Sequence, residues 1–205
     1  NLGDSNLSSS VALQATPATP AQGYSTSQDV FTNVLLLTVS DINSDYPTLI
    51  SAQLLSLDAT TSSGVLVDIP LDSKVSSDAG DTTLSTLFSS SGASACIVPF
   101  AAASNIQVSH VVVATNEVWD KVEALKGSGV QSIISSASDL LDLIKTDMDM
   151  GTLMDLAELV QSIGVSKLTR VSAPVSSDTL DDGTPVEVLD QTKLGISTGT
   201  LVVSS

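Results

Sequence analysis

Residues 34–72 read VLLLTVSDINSDYPTLISAQLLSLDATTSSGVLVDIPLD, and this stretch decides the fold. It opens with the apolar run Val34 to Val39, the mark of a buried strand. Residues 40–47 follow with Asp41, Asn43, Ser44, Asp45 and Pro47. That is loop chemistry, because such side chains bond their own backbone or set φ in advance. Residues 49–57 supply a second strand and residues 65–69 a third, which Pro70 stops. The Thr/Ser/Gly link between these last two predicts a hairpin.

Beyond the third strand, Asp81, Thr82 and Thr83 form a plausible helix cap before Leu84, Leu87 and Phe88 at helical spacing. Gly92 ends that helix. A second helix covers part of residues 93–103, with Pro99 placed in a first turn or at a kink. Residues 108–114 read as a strand interrupted at Ser109-His110. Thr115 or Asn116 then caps a helix carrying Val118, Trp119, Val122 and Leu125, closed by Gly127. Helical spacing is clearest over residues 130–144 and resumes over 153–163 before Gly164. Residues 167–171 and 185–189 read as strands around a polar loop at 176–183. Residues 1–32, rich in Ser, Thr, Ala, Gln and Pro, read as a flexible linker, and residues 191–205 as a weakly patterned tail. The domain between them spans 33–190. Alternating strands and helices predict an α/β fold: a mixed central sheet with helices on both faces, an α-β-α sandwich. The early hairpin excludes a purely parallel sheet.

Composition limits the partners and the chemistry. The 205 residues are enough for one sizeable core. Aromatics are only 3%, so Leu, Val, Ile and Ala must build it. Seven basic against 23 acidic residues leave a net charge of -16, which excludes nucleic acid and makes anionic membrane surfaces poor partners. There is one arginine, Arg170, and one histidine, His110. The single cysteine, Cys96, allows no internal disulfide. No window reads as a transmembrane helix or a signal peptide. The chain starts at Asn1 without methionine, which suits a removed leader or anchor, or a piece of a longer chain.

The order of elements resembles the LytR-CpsA-Psr (LCP) family over roughly residues 33–190. The matching features are the apolar strand, the Asp/Ser loop, a strand ending in Asp58, and a strand ending in Ile69-Pro70-Leu71-Asp72. They continue with the Leu84–Gly92 region, the Val108–Val113 strand with its His110, and the Trp119 helix. Ile144-Lys145-Thr146-Asp147, the 153–163 helix and residues 167–173 complete the order. The resemblance implies a membrane-anchored protein on the outer face of a Gram-positive cell. Its relatives transfer glycopolymers from a polyprenyl pyrophosphate carrier to peptidoglycan, helped by a divalent metal. Their sites hold the pyrophosphate with several arginines and acids, a role that suits the planar guanidinium.

This chain departs from the family at those positions. Leu71 stands where the family's "IPRD" arginine falls, and Thr48, Leu49 and Ile50 replace an Arg-Ser-Asp element. Gly127-Ser128-Gly129 runs straight into the helix at Val130, where the family has a longer arginine-bearing segment. Arg170 aligns outside the catalytic motifs. Asp72 survives, and with Asp68 and Asp41 it forms a vestigial magnesium candidate; the plainer reading is a turn after Pro70. Asp147, Asp149, Asp155 and Glu158 imitate calcium-loop positions, but the glycine is misplaced and a helix already runs there. His110 lacks a legible partner, Cys96 reads as a small buried hydrophobe, and Trp119 as core. Lys121 and Lys126 suit a solvated helix face.

The expectation is a shortened, degenerate, non-catalytic LCP-like extracellular domain with no cofactor, which binds or scaffolds a cell-envelope component or protein partner. Two alternatives stand beside it: a magnesium-assisted phosphotransferase acting on lipid-linked glycopolymer, and a domain that holds a polyprenyl lipid without chemistry.

Overall fold

In the computed structural model the chain forms a six-stranded mixed sheet with helices on both faces. The structure describes residues 5–14, 17–45, 47–124, 143–164 and 167–203. Three strands of the central sheet come from the opening stretch: β2 (Phe31–Val39), β3 (Leu49–Asp58) and β4 (Ser63–Ile69). They pair antiparallel in sequence order, with Leu35 opposite Leu54 and Leu54 opposite Val67. Strand β7 (His110–Ala114) adds parallel to β2, and β9 (Leu168–Ser172) parallel to β4. The short β8 (Lys145–Thr146) closes the far edge antiparallel to β7, giving the order β8-β7-β2-β3-β4-β9.

The apolar run of β2 serves two cores because successive side chains point to opposite faces. Leu35 and Leu37 face the larger cluster, under helices α2 (Leu84–Ser91) and α3 (Ser94–Ser104). Val34 faces the smaller one, with Val118 and Trp119 of α4 (Asn116–Ala124) and Leu153 and Leu156 of α5 (Met150–Ile163). Phe100, Leu35, Leu37 and Leu54 are fully buried. Each is worth roughly 1.5–3 kcal/mol relative to exposure.

The local punctuation matches the sequence. The Thr83 hydroxyl accepts from the Thr86 N–H and caps α2, and Asp149 caps α5 through the Thr152 N–H. Gly92 and Gly164 end these helices at φ of 82° and 88°, where a side chain would be strained. Pro99 is neither in a first turn nor at a helix end: it lies inside α3, as the sixth residue.

Several segments differ from the sequence reading. The stretch read as a linker contains α1 (Ser5–Ala12), which buries Leu7 in the main core with Val11 packed beside it. Gln14 follows and meets Val108 twice: its Oε1 accepts from the Val108 N–H at 2.7 Å, and its Nε2 donates to the Val108 carbonyl at 2.7 Å. A side-chain amide thus stands in for a strand partner, and the sheet strand proper starts only at His110. Strand β1 (Tyr24–Thr26) pairs antiparallel with β12 (Leu201–Val203), so the supposed linker and tail meet each other. The tail also holds α6 (Gln191–Thr198), capped by Asp190.

The polar loop at 176–183 begins as strand β10 (Val175–Thr179), paired with β11 (Pro185–Leu189). All five residues of β10 are exposed, which is why no hydrophobic alternation marks it. A further hairpin, β5 (Lys74–Ser77) with β6 (Gly80–Thr83), occupies the segment before α2. Residues 130–142 of the expected 130–144 helix, with Gly127, Lys126 and Leu125, lie outside the described residues, as does the side chain of Val122. No helix among the described residues is long and apolar enough to cross a membrane.

Candidate functional site

A cavity of about 260 Å³ lies at the carboxyl end of the parallel pair β2 and β7. Such ends are where α/β sheets commonly bind ligands, because the chain turns away from the sheet there and leaves a crevice. Val39 and Val113 form its floor, and Leu7 and Phe88 line its apolar side. Ile42, Asn43, Ser44, Asp45 and Pro47 line the other side. The Ser40 N–H donates to the Thr48 carbonyl and the Thr48 N–H to the Ser40 hydroxyl, both at 3.0 Å. Asp41 accepts from the Asn43 N–H at 2.9 Å, so its carboxylate holds the loop's own turn.

Two features give this cavity weak anion character. The first turn of α3 lines it through Ala93 and Ser94, and no side chain caps that helix. Lys145, at the edge of the sheet, is the one cation among the described lining residues, and Asp45 lines the cavity as well. One ammonium and one carboxylate do not neutralise a pyrophosphate, which needs several fixed positive groups.

The Ile69-Pro70-Leu71-Asp72 element is committed to backbone work. The Pro70 carbonyl accepts from the Ser73 N–H and hydroxyl, at 3.1 and 2.6 Å. The Leu71 carbonyl accepts from Ser85 and that of Asp72 from Glu187. This turn therefore pins the end of β4 to α2 and β11. The Leu71 side chain packs against the main core, and Asp72 is exposed.

Asp68 sits on the opposite face of the sheet from Val67 and is fully engaged. Arg170 Nε and Nη2 donate to its two oxygens at 2.9 and 3.0 Å, and Gln53 Nε2 adds a third bond at 2.8 Å. The Arg170 guanidinium holds the Asp68 carboxyl below the usual carboxylate range, helped by Gln53. The only arginine of the chain is thus spent on one of the three acids singled out as metal candidates. A cation at Asp68 must first displace it, so these residues do not fit magnesium. No group of three or more acid, His or Cys side chains among the described residues is placed to hold a metal ion.

The sign of this pairing makes a prediction. The folded-state pKa of Asp68 is depressed, so its stabilisation is present above the unfolded value of about 3.9 and fades as pH falls through the folded one. The Arg170→Ala variant should therefore be less stable than the parent at neutral pH. The two should converge in acid, measured by urea unfolding across pH. A gap that persists unchanged at low pH would mean that the Arg170 stem, not its charge, does the stabilising.

His110 has a partner that its sequence neighbourhood hides. Its Nδ1 lies 2.8 Å from Asp147 Oδ2, and Asp147 Oδ1 accepts from the Val111 N–H at 2.8 Å. The Asp147 side chain is only 7% exposed. This pair stands at the amino end of β7, away from the cavity, and fixes the edge segment that carries Lys145. Both oxygens of Asp147, read as the first calcium-loop position, are thus engaged by protein groups. Asp149 caps α5, which has already begun where Asp155 and Glu158 lie, so the calcium-loop pattern is that of a helix start. Burial pushes the Cys96 thiol up to about 12, which leaves it unreactive. Trp119 Nε1 donates to the Thr38 hydroxyl at 2.7 Å while its ring packs in the smaller core. Lys121 lies 3.7 Å from Glu117 on the α4 surface.

The architecture is LCP-like. The chain matches no protein-family model and no curated protein. Its fold is similar to that of solved structures over most of their length. TagV of B. subtilis superposes with a TM-score of 0.63 at 13% identity, covering 83% of this chain and 95% of that one. Lin1025 of Listeria innocua gives 0.60 at 14%, covering 81% and 94%. TagT bound to LI-WTA gives 0.57 at 14%, covering 84% and 92%. TagV and TagT are LCP proteins, and at such identities the likeness is one of fold.

Proposed function

We propose that this chain is a degenerate, non-catalytic LCP-like domain on the extracellular face of a cell envelope. It would be tethered by an N-terminal anchor outside this chain and would bind or scaffold an envelope component or protein partner without a cofactor. The observation that carries this reading is the fate of the basic groups. Leu71 packs into the core where the family resemblance expects an arginine, and Arg170 is bound to Asp68. The likeness to TagV, over 95% of that chain, supports the LCP-like fold of this reading.

Millimolar magnesium with a soluble pyrophosphate analogue should leave the melting temperature unchanged. A ligand that binds only the folded state must stabilise it, by about 2.7 kcal/mol at a hundredfold excess over Kd. A clear upward shift would overturn the degenerate reading and favour the phosphotransferase alternative.

The apolar wall of the cavity favours a second reading, in which the domain holds a polyprenyl lipid. Its volume, about 260 Å³, is near the lower limit of small-molecule sites, roughly 300 Å³. It could take the first units of such a chain but not its length. Native mass spectrometry separates the two: a bound mass equal to a polyprenyl phosphate supports lipid holding, and a clean apo mass supports the scaffold.

A further inference from the structure

A second cleft, of about 500 Å³, lies between strands that start together and part. Ser73, just before β5, bridges Glu187 of β11 in parallel, and the Glu187 N–H donates to the Asp72 carbonyl at 3.0 Å. That bridge is isolated: pairing does not continue to Val75 and Leu189. The cleft fills the wedge beyond it, with Lys74, Val75 and Ser76 on one side and Val188 and Leu189 on the other.

The ladders on the outer edges set which backbone groups face inward. The Leu84 N–H bonds the Ser73 carbonyl, and β5 continues in that register along β6, with Val75 opposite Thr82. Bonded and non-bonded pairs alternate in an antiparallel ladder, so the backbone groups of Ser76 point away from β6, into the wedge. The Asp190 N–H bonds the Pro174 carbonyl, which by the same alternation turns Leu189 inward from β11. Exposed strand edges of this kind are templates for added strands.

The lining and the charge narrow the occupant. Pro99, Ala102 and Ala103 of α3 line the cleft with short side chains, and Gln191 reaches over to the Ala102 and Ala103 carbonyls at 3.1 and 3.2 Å. Asp190 lines the wedge, Asp72 and Glu187 stand at the bridge that closes its narrow end, and Lys74, which also lines it, pairs with Asp81 at 3.6 Å. We infer that this wedge is a docking site for an extended, basic peptide segment of a partner protein, added as a strand along the edge of β5. Backbone bonds would give affinity, and the acidic rim would select a cationic partner.

The probe is a fluorescent ten-residue peptide of alternating lysine and valine, titrated with the whole chain and read by anisotropy. Saturable binding is expected, and none for the glutamate-valine counterpart. Ala102 is exposed on α3, so Ala102→Trp fills the cleft without entering the core, and it should weaken binding at least tenfold. Of two probes N-methylated at odd or even residues, at least one should lose binding to the same degree. The amide resonances of Ser76 and Leu189 should shift on titration of the parent, which tests the site even if the variant misfolds. Absence of binding, or full binding by Ala102→Trp or by both methylated probes, would overturn the proposal.

Discussion

Removing residues 1–14 should destabilise the domain by about 3–5 kcal/mol, a large share of the 5–15 kcal/mol that holds a typical domain together. Leu7 is 3% exposed within the main core, and truncating such a leucine costs about 2–5 kcal/mol. Gln14 adds two hydrogen bonds to the Val108 backbone, at about 1 kcal/mol each. The entropy of ordering α1 offsets part of this. The loss also opens the cavity on its Leu7 side. Urea unfolding of the shortened chain measures the effect. Leu7→Ala in the full chain should account for at least half of it. A change below about 1 kcal/mol would restore the reading of this segment as a tether.

Asp147→Ala should cost about 3 kcal/mol. The nearly buried carboxylate accepts from His110 and from the Val111 N–H, and hydrogen bonds to charged groups contribute about 1.5–3 kcal/mol each. Alanine leaves the Val111 N–H, on a buried residue, without its acceptor, which is the more serious loss. His110→Ala should cost less, about 1 kcal/mol, because Asp147 keeps its backbone bond. The Ser8 hydroxyl also donates to the Asp147 carbonyl, so the edge strand and α1 are linked here. Hydrogen exchange on Asp147→Ala should rise at Val111 and around Lys145 before it rises at Leu54. Equal costs for the two variants would show that the imidazole, and not the backbone contact, is what matters.

These two predictions fall where sequence reading stopped. Strand β2, the β3–β4 hairpin and the cap at Thr83 were legible, because each depends on side chains acting on their own few neighbours. The α/β class followed from their alternation. Asp68, Leu71 and Asp72 were also legible as a group worth attention, but not their environments. Arg170 reaches Asp68 across 102 residues and His110 reaches Asp147 across 37, and no local pattern encodes either meeting. Strands β5, β6 and β10 escaped notice for a related reason: they are short and mostly polar, so no hydrophobic alternation marks them.

The sequence by itself determined the α/β class, the order of the central elements and the scarcity of positive charge that argues against pyrophosphate chemistry. All three reside in residue identity and short-range spacing. Only the tertiary structure decided that residues 5–14 belong to the core, that the one arginine is tied to Asp68, and that β5 and β11 part to leave a wedge. Those outcomes depend on which distant segments share a surface, and that is settled by packing and backbone pairing across the whole chain.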